Sequence, residues 1–152
     1  MRELKKTMCK FSFRILISVL ILACSSGQKT EGEIISVSNL RCELLNDPIG
    51  IDVRNPKLYW QIQSDEYNIE QTAYQIIVSS SEEKLANNMG DIWDSGKQLS
   101  NKSAHVPYEG KSLLSNQQCF WKVKVWTENG ESPWSEPAYW SMGYLYYKDW
   151  KD

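Results

Sequence analysis

The sequence predicts an all-β fold of about seven short antiparallel strands in two packed layers, preceded by an export signal. Three observations lead there. Apolar residues recur at every second position in several short stretches. Pro, Gly, Asn and Asp cluster between those stretches, where turns belong. Finally, 7 Trp and 8 Tyr among 152 residues supply bulky groups from which a small domain can build its core. The same aromatic richness also suits a carbohydrate-stacking surface, with the sandwich core as the expected reading.

The central strand is expected over residues 119–126. Cys119, Trp121, Val123 and Val125 fall on one face, and Phe120, Lys122, Lys124 and Trp126 on the other. Lysines alternating with β-branched and aromatic residues mark a strand with one buried and one wet face. Glu128, Asn129 and Gly130 end it and begin a hairpin. A further aromatic strand follows over residues 138–142.

The earlier strands read the same way. Leu40, Cys42 and Leu44 alternate with Arg41 and Glu43, giving a first strand that the turn formers of residues 46–50 interrupt. Pro56 opens a second, with Leu58, Trp60 and Ile62 inward and Lys57, Tyr59 and Gln61 outward. The third covers residues 72–79, with Tyr74, Ile76 and Val78 on one face. A short helical turn over residues 80–88 would be anchored by Leu85. Trp93-Asp94-Ser95-Gly96 reads as a brief strand and turn, and Ala104, Val106 and Tyr108 alternate once more. Leu113 is expected to plug the corner before the central strand. Residues 132–137, with Pro133 and Pro137, read as a bulge at a sheet edge, where missing N–H groups cost least. Residues 34–143 thus describe an immunoglobulin-like β-sandwich. Burying Trp60 alone would remove roughly 200 Å² from water, about 5 kcal/mol before ordering costs.

The N-terminus reads as an export signal. Arg2, Lys5, Lys6, Lys10 and Arg14 precede an apolar run over residues 15–23. That run is too short for a membrane-spanning helix, which needs about 20 residues. Ile21-Leu22-Ala23-Cys24 resembles the lipobox of bacterial lipoproteins. The resemblance implies cleavage before Cys24 and lipidation of its thiol, with a plain secretory signal as the alternative. Residues 1–23 are then the signal peptide and residues 24–33 a small, polar tether. Ser25, not aspartate, follows the cysteine, which favours an outer-membrane destination for an exported, lipid-anchored protein.

The whole chain has 17 basic and 19 acidic side chains. Five of the basic ones and Glu3 lie in the leader, so the remainder carries 12 against 18 and a net charge of −6. No basic stripe is left to hold phosphates, and a nucleic-acid partner is not expected. Cys42 and Cys119 remain after processing, and two separate buried thiols are favoured over a bridge. His105 is the single histidine, without neighbours in sequence that would make a metal site or a catalytic base. Asp65-Glu66, Glu82-Glu83 and Asp91 with Asp94 lie in polar stretches and read as solvated charge, not as the paired carboxyls of a glycosidase. No cofactor is expected.

Taken in order, the strands resemble the fibronectin type III-like module at the N-terminus of bacterial α-L-rhamnosidases, glycoside hydrolase family 78. The residues that carry the resemblance run through Pro48 and Gly50, Pro56-x-Leu58-x-Trp60 and Gln71-x-Ala73-Tyr74-x-Ile76-x-Val78. They continue through Trp93-Asp94-Ser95-Gly96, Val106-x-Tyr108-x-Gly110, Leu113 and residues 121–126. Gly130-x-Ser132-x-Trp134-Ser135 and Gly143 complete the set. The family usually has tyrosine where Cys119 stands, so its corner hydrogen bond is expected to be absent or replaced, at about 1 kcal/mol.

In that family the module leads into further β-rich domains and a helical barrel that hydrolyses terminal rhamnose. None of the barrel's carboxylates has a position in this sequence. The resemblance therefore implies a non-catalytic accessory module of an exported hydrolase. Residues 144–152 would be the lead-in to the next domain, in a fragment that stops short of the barrel. The alternative is a stand-alone surface lipoprotein that binds glycan or protein. Trp126, Trp134 and Tyr139 are the candidate contacts, either with a rhamnose-containing glycan or with a neighbouring domain.

Overall fold

The computed structural model describes residues 35–150, apart from residue 66. The predicted signal peptide, Cys24 and the tether lie outside the described residues. Nine strands and one short helix are described in chain order. They are β1 (Ser36–Cys42), β2 (Lys57–Gln63), β3 (Gln71–Ser79), α1 (Glu82–Ala86), β4 (Trp93–Asp94), β5 (Gln98–Leu99), β6 (Val106–Pro107), β7 (Gln118–Thr127), β8 (Gly130–Glu131) and β9 (Ala138–Ser141). A 3-10 turn, Tyr147–Trp150, follows.

The strands form two antiparallel sheets. One has the order β1-β2-β6. In the other, β3 and β7 are the centre, β4 and β5 share one edge, and β8 and β9 share the opposite edge. The split edges explain why nine strands stand where about seven were expected. Each edge is a single course of chain interrupted once, by Ser95-Gly96 on one side and by residues 132–137 on the other.

Period-two alternation supplies the core. Leu58 and Trp60 of β2 face Ile76 and Val78 of β3 and Trp121, Val123 and Val125 of β7. Tyr74 packs edge-on against Trp60, ring centroids 5.2 Å apart. A run of edge-to-face rings then links Trp93, Tyr108, Trp140 and Trp121, at 5.2, 6.0 and 6.3 Å between successive centroids. Such contacts add roughly 0.5–1.5 kcal/mol each beyond the area they bury.

The first strand departs from expectation. Alternation suggested that Leu40, Cys42 and Leu44 all point inward, but Leu44 is exposed. Two backbone features are responsible. The pairing of β1 with β2 shifts between Ser38 and Arg41, where Asn39 takes a left-handed φ of 51°. The strand then ends at Cys42, and Glu43 and Leu44 form a tight turn with φ of 50° and 67°. Cys42 and Leu45 exchange both backbone hydrogen bonds across that turn, at 3.0 and 2.9 Å. Val37 and Cys42 of this strand consequently lie in the core with the preceding Ile35, and Leu40 packs against it half-buried. Ala104 is likewise exposed, because β6 begins only after His105, itself at φ 55°.

The predicted helical turn is α1. Ser81 caps it by accepting a hydrogen bond from the Lys84 N–H at 3.3 Å, Glu82 and Glu83 suit its N-terminal dipole, and Leu85 is its buried anchor. Leu113 lies in the core as expected. The corner between β6 and β7 is fastened by Tyr108, whose hydroxyl donates to the Lys111 carbonyl oxygen at 2.6 Å. The corner is thus closed by a hydroxyl although position 119 carries none. Gly110 sits there because a Cβ would come within 2.5 Å of both Trp93 Cβ and the Tyr108 hydroxyl.

Candidate interaction surface

The outward face of β7 carries the side chains predicted to make contacts. It is less wet than alternation implied, since Lys122 is buried and Phe120, Lys124 and Trp126 are half-buried. The cover comes from residues 132–135. Ser132 and Ser135 lie beside β7 without forming a regular strand. Their N–H groups donate to the Val125 and Val123 carbonyls, both at 2.9 Å. Their hydroxyls accept from the Val125 and Val123 N–H groups, both at 3.1 Å. Side-chain oxygens thereby stand in for the carbonyls of a missing strand, so Pro133 leaves no β7 donor unsatisfied.

This arrangement lays Trp134 across the strand. The Lys122 and Lys124 ammonium groups stand 5.4 and 5.3 Å from its ring centroid. Lys124 also lies 5.8 Å from the Trp126 ring, over which Lys97 stands at 4.4 Å. Three lysines and two tryptophans therefore alternate in a continuous cation–π ladder. Burial pushes the Lys122 ammonium below its ordinary pKa, and the tryptophan quadrupole offsets that loss of hydration. Sequence alternation located Lys122, Lys124 and Trp126. Lys97 carried no such signal, because it arrives from the turn between β4 and β5.

The structure brings Trp126 and Trp134 together and sets Tyr139 apart. Tyr139 packs on Phe120 with centroids 5.1 Å apart. It borders a depression of about 360 Å³ with Asp47, Glu82 and Gln118, and a second of about 740 Å³ near Gly143.

The groups capable of chemistry are held in structural roles. Asp91 accepts from the Ser80 N–H and hydroxyl at 2.9 and 2.7 Å and pairs with Lys84 at 2.7 Å. Partial burial pushes its carboxyl up, but these bonds outweigh it and hold the pKa at about 2. Asp94 accepts from Gln75 and from the Gly96 N–H. Tyr59 and His105 share a hydrogen bond of 3.0 Å. Cys42 and Cys119 are both buried free thiols, as favoured from the sequence, and burial pushes each up to about 12. Neither is a nucleophile near neutral pH. Among the described residues, no group of three or more His, Cys, Asp or Glu is placed to hold a metal ion, and no helix is long and apolar enough to cross a membrane.

With this geometry in view, residues 37–146 match the family described as Rha78A-like, N-terminal immunoglobulin domain. The chain belongs to that family. An α-L-rhamnosidase of Formosa agariphila is 37% identical over 137 residues, which are 90% of this chain and 14% of that protein. The solved α-L-rhamnosidase of Dictyoglumus thermophilum superposes with a TM-score of 0.74 at 42% identity, over 76% of this chain and 13% of the other. That of Streptomyces avermitilis, solved with L-rhamnose, gives 0.73 at 36% identity, over 77% and 11%. The chain therefore spans about one-seventh or less of the length of these relatives. What they share with it is the N-terminal immunoglobulin-like domain, and the sandwich, the aromatic core and the β6–β7 corner are its substance here.

Proposed function

We propose that this chain is the non-catalytic N-terminal module of an exported α-L-rhamnosidase and serves that enzyme as a structural accessory. The match of residues 37–146 to the N-terminal immunoglobulin-like domain of such enzymes carries the reading. The site chemistry agrees with it. Asp91 and Asp94 spend their oxygens on local backbone and side-chain donors, and the two thiols are inert. Hydrolysis of the rhamnoside then belongs to the other domains of the enzyme.

A chimera tests this. The present chain replaces the corresponding 137 residues of the Formosa agariphila enzyme. An accessory module should leave turnover of an aryl α-L-rhamnoside within about threefold of the parent, whereas deletion of the region should lower yield and thermal stability. A chimera that folds but has lost turnover would contradict the proposal.

Membrane attachment through Cys24 completes the reading. It is supported by the basic leader, the apolar run and the Ile21-Leu22-Ala23-Cys24 motif. Expression in a Gram-negative host with labelled palmitate should place label in the outer-membrane fraction, and Cys24→Ser should abolish it. Label retained in that variant would remove the anchor. As for a glycan, the ammonium groups over Trp126 and Trp134 take up the rings a sugar would stack on, which leaves Tyr139 as the candidate contact. A tryptophan or tyrosine fluorescence titration with rhamnose-containing oligosaccharide that saturates, and is lost in Tyr139→Ala, would support it.

A further inference from the structure

Large apolar side chains are exposed on three separate segments that meet where the chain leaves the sandwich. Ile49 is 83% exposed, Leu114 65%, Tyr144 44% and Val53 42%. Single exposed apolar residues need no explanation, but a contiguous set marks an interaction site. Here the set is contiguous because the backbone makes it so. Ile51 bridges Met142 in parallel, and the Gly143 N–H donates to the Ile51 carbonyl at 2.7 Å. The Asn116 N–H donates to the Gly143 carbonyl at 3.2 Å, and the Leu145 N–H donates to the Ser115 hydroxyl at 2.9 Å. Arg54 donates to the Leu145 carbonyl and stacks over Tyr146, 4.7 Å from its centroid. Gly143 has no side chain because a Cβ would lie 2.8 Å from the Gly50 carbonyl oxygen.

The segment after β9 is therefore clamped against the loops at residues 48–54 and 114–117. Ile49 and Tyr144 line one open depression of about 740 Å³ on this face. A freely swinging linker has no use for such fastening, and its composition would be polar or glycine-rich. The relatives indicate what lies beyond. This chain corresponds to 14% of the Formosa agariphila enzyme, at the N-terminal end of the family's architecture, so most of such a polypeptide emerges next to this face.

We propose that this exit face is the docking surface for the domain that follows in the same polypeptide, with Ile49 and Leu114 as its apolar anchors and the Arg54–Leu145 clamp fixing the angle of departure. The inference rests on the accessory-module reading above and adds to it which side of the sandwich is attached. The lysine–tryptophan ladder, by contrast, satisfies itself through its own cation–π contacts.

Hydrogen exchange compares the chain alone with the chimera. Docking predicts amide exchange on the order of tenfold slower in residues 47–54 and 112–118 of the chimera, with the loop at residues 128–131 unchanged. Ile49→Asp with Leu114→Asp should restore fast exchange in the chimera while leaving the melting temperature of the isolated chain within about 2 °C. An active chimera whose exit face exchanges as in the isolated chain overturns docking alone. A chimera that folds but has lost turnover overturns the accessory reading, on which docking rests. If the isolated chain dimerises in sedimentation, and the double substitution abolishes the dimer, a second copy is the occupant and the proposal fails.

Discussion

The indole N–H of Trp60 donates to the Gln71 side-chain oxygen at 2.9 Å inside the core. This bond ties β2 in one sheet to β3 in the other. The amide nitrogen of Gln71 then donates to the Ser100 and Lys102 carbonyls at 2.9 and 2.8 Å, which fixes the chain between β5 and β6. One buried amide therefore joins both sheets and the loop that crosses between them, pairing the three groups it meets.

Gln71→Leu should cost about 3 kcal/mol, because the leucine fills the space but strands the Trp60 donor and two carbonyls away from water. Urea unfolding followed by tryptophan fluorescence measures it. A loss below about 1 kcal/mol would mean that water reaches these groups.

Tyr108→Phe removes the hydroxyl that closes the β6–β7 corner and should cost about 1–2 kcal/mol. Burial pushes this phenol well above the usual tyrosine pKa, so it remains a donor throughout the accessible alkaline range. Cys119→Tyr, which restores the residue usual in the family, is expected to cost about 1–3 kcal/mol. Cys119 is fully buried, and a phenol there overpacks the core while the corner bond already exists. Paired thermal melts of the two variants decide between these accounts.

Trp134→Ala dismantles the middle of the ladder. It should destabilise by about 2–3 kcal/mol, from lost area and two cation–π contacts, and Lys122 should become more reactive to amine acylation. Mass spectrometry after limited acetylation reads the second effect. Unchanged Lys122 labelling would show that Trp134 does not shield it.

Asp91 gives a pH signature. Its folded pKa of about 2 lies below the ordinary aspartate value of 3.8, so the stability it contributes is complete above about pH 5 and lost as the pH falls through 4 towards 2. Both partners are substantially exposed, and solvent screening keeps the contribution below about 1 kcal/mol. Asp91→Asn should flatten the stability profile in that window, lowering stability by up to about 1 kcal/mol near neutrality and leaving it nearly unchanged towards pH 2, as acid titration of the melting temperature will show.

Strands with a clean two-residue period were legible in the sequence. Leu58 and Trp60 of β2, Ile76 and Val78 of β3, and Trp121, Val123 and Val125 of β7 lie in the core as alternation selects, and β3 and β7 keep one continuous register from Ala73 to Ser79. β1 was misread where two non-glycine residues, Glu43 and Leu44, accept left-handed backbone, a choice that carries no compositional mark. The outer face of β7 was read as wet because alternation reports which way a side chain points, not what later folds over it. Ser132 and Ser135 are the cover, and their hydroxyl-to-backbone bonds look like any polar loop until Val123 and Val125 are placed opposite. The exit face was harder still. Ile49, Leu114 and Tyr144 are far apart in sequence and meet only through the Ile51–Met142 bridge and the hydrogen bonds of Gly143 and Leu145 to Asn116 and Ser115.

The claim beneath all of this is that the sandwich is filled with its own side chains and leaves hydrolysis to other domains. Incubating the purified chain with an aryl α-L-rhamnoside and following release of the aryl alcohol tests it directly. The account predicts release indistinguishable from buffer in a protein that still melts cooperatively. Turnover that scales with protein concentration and disappears on substituting Asp47 or Glu82 would contradict it.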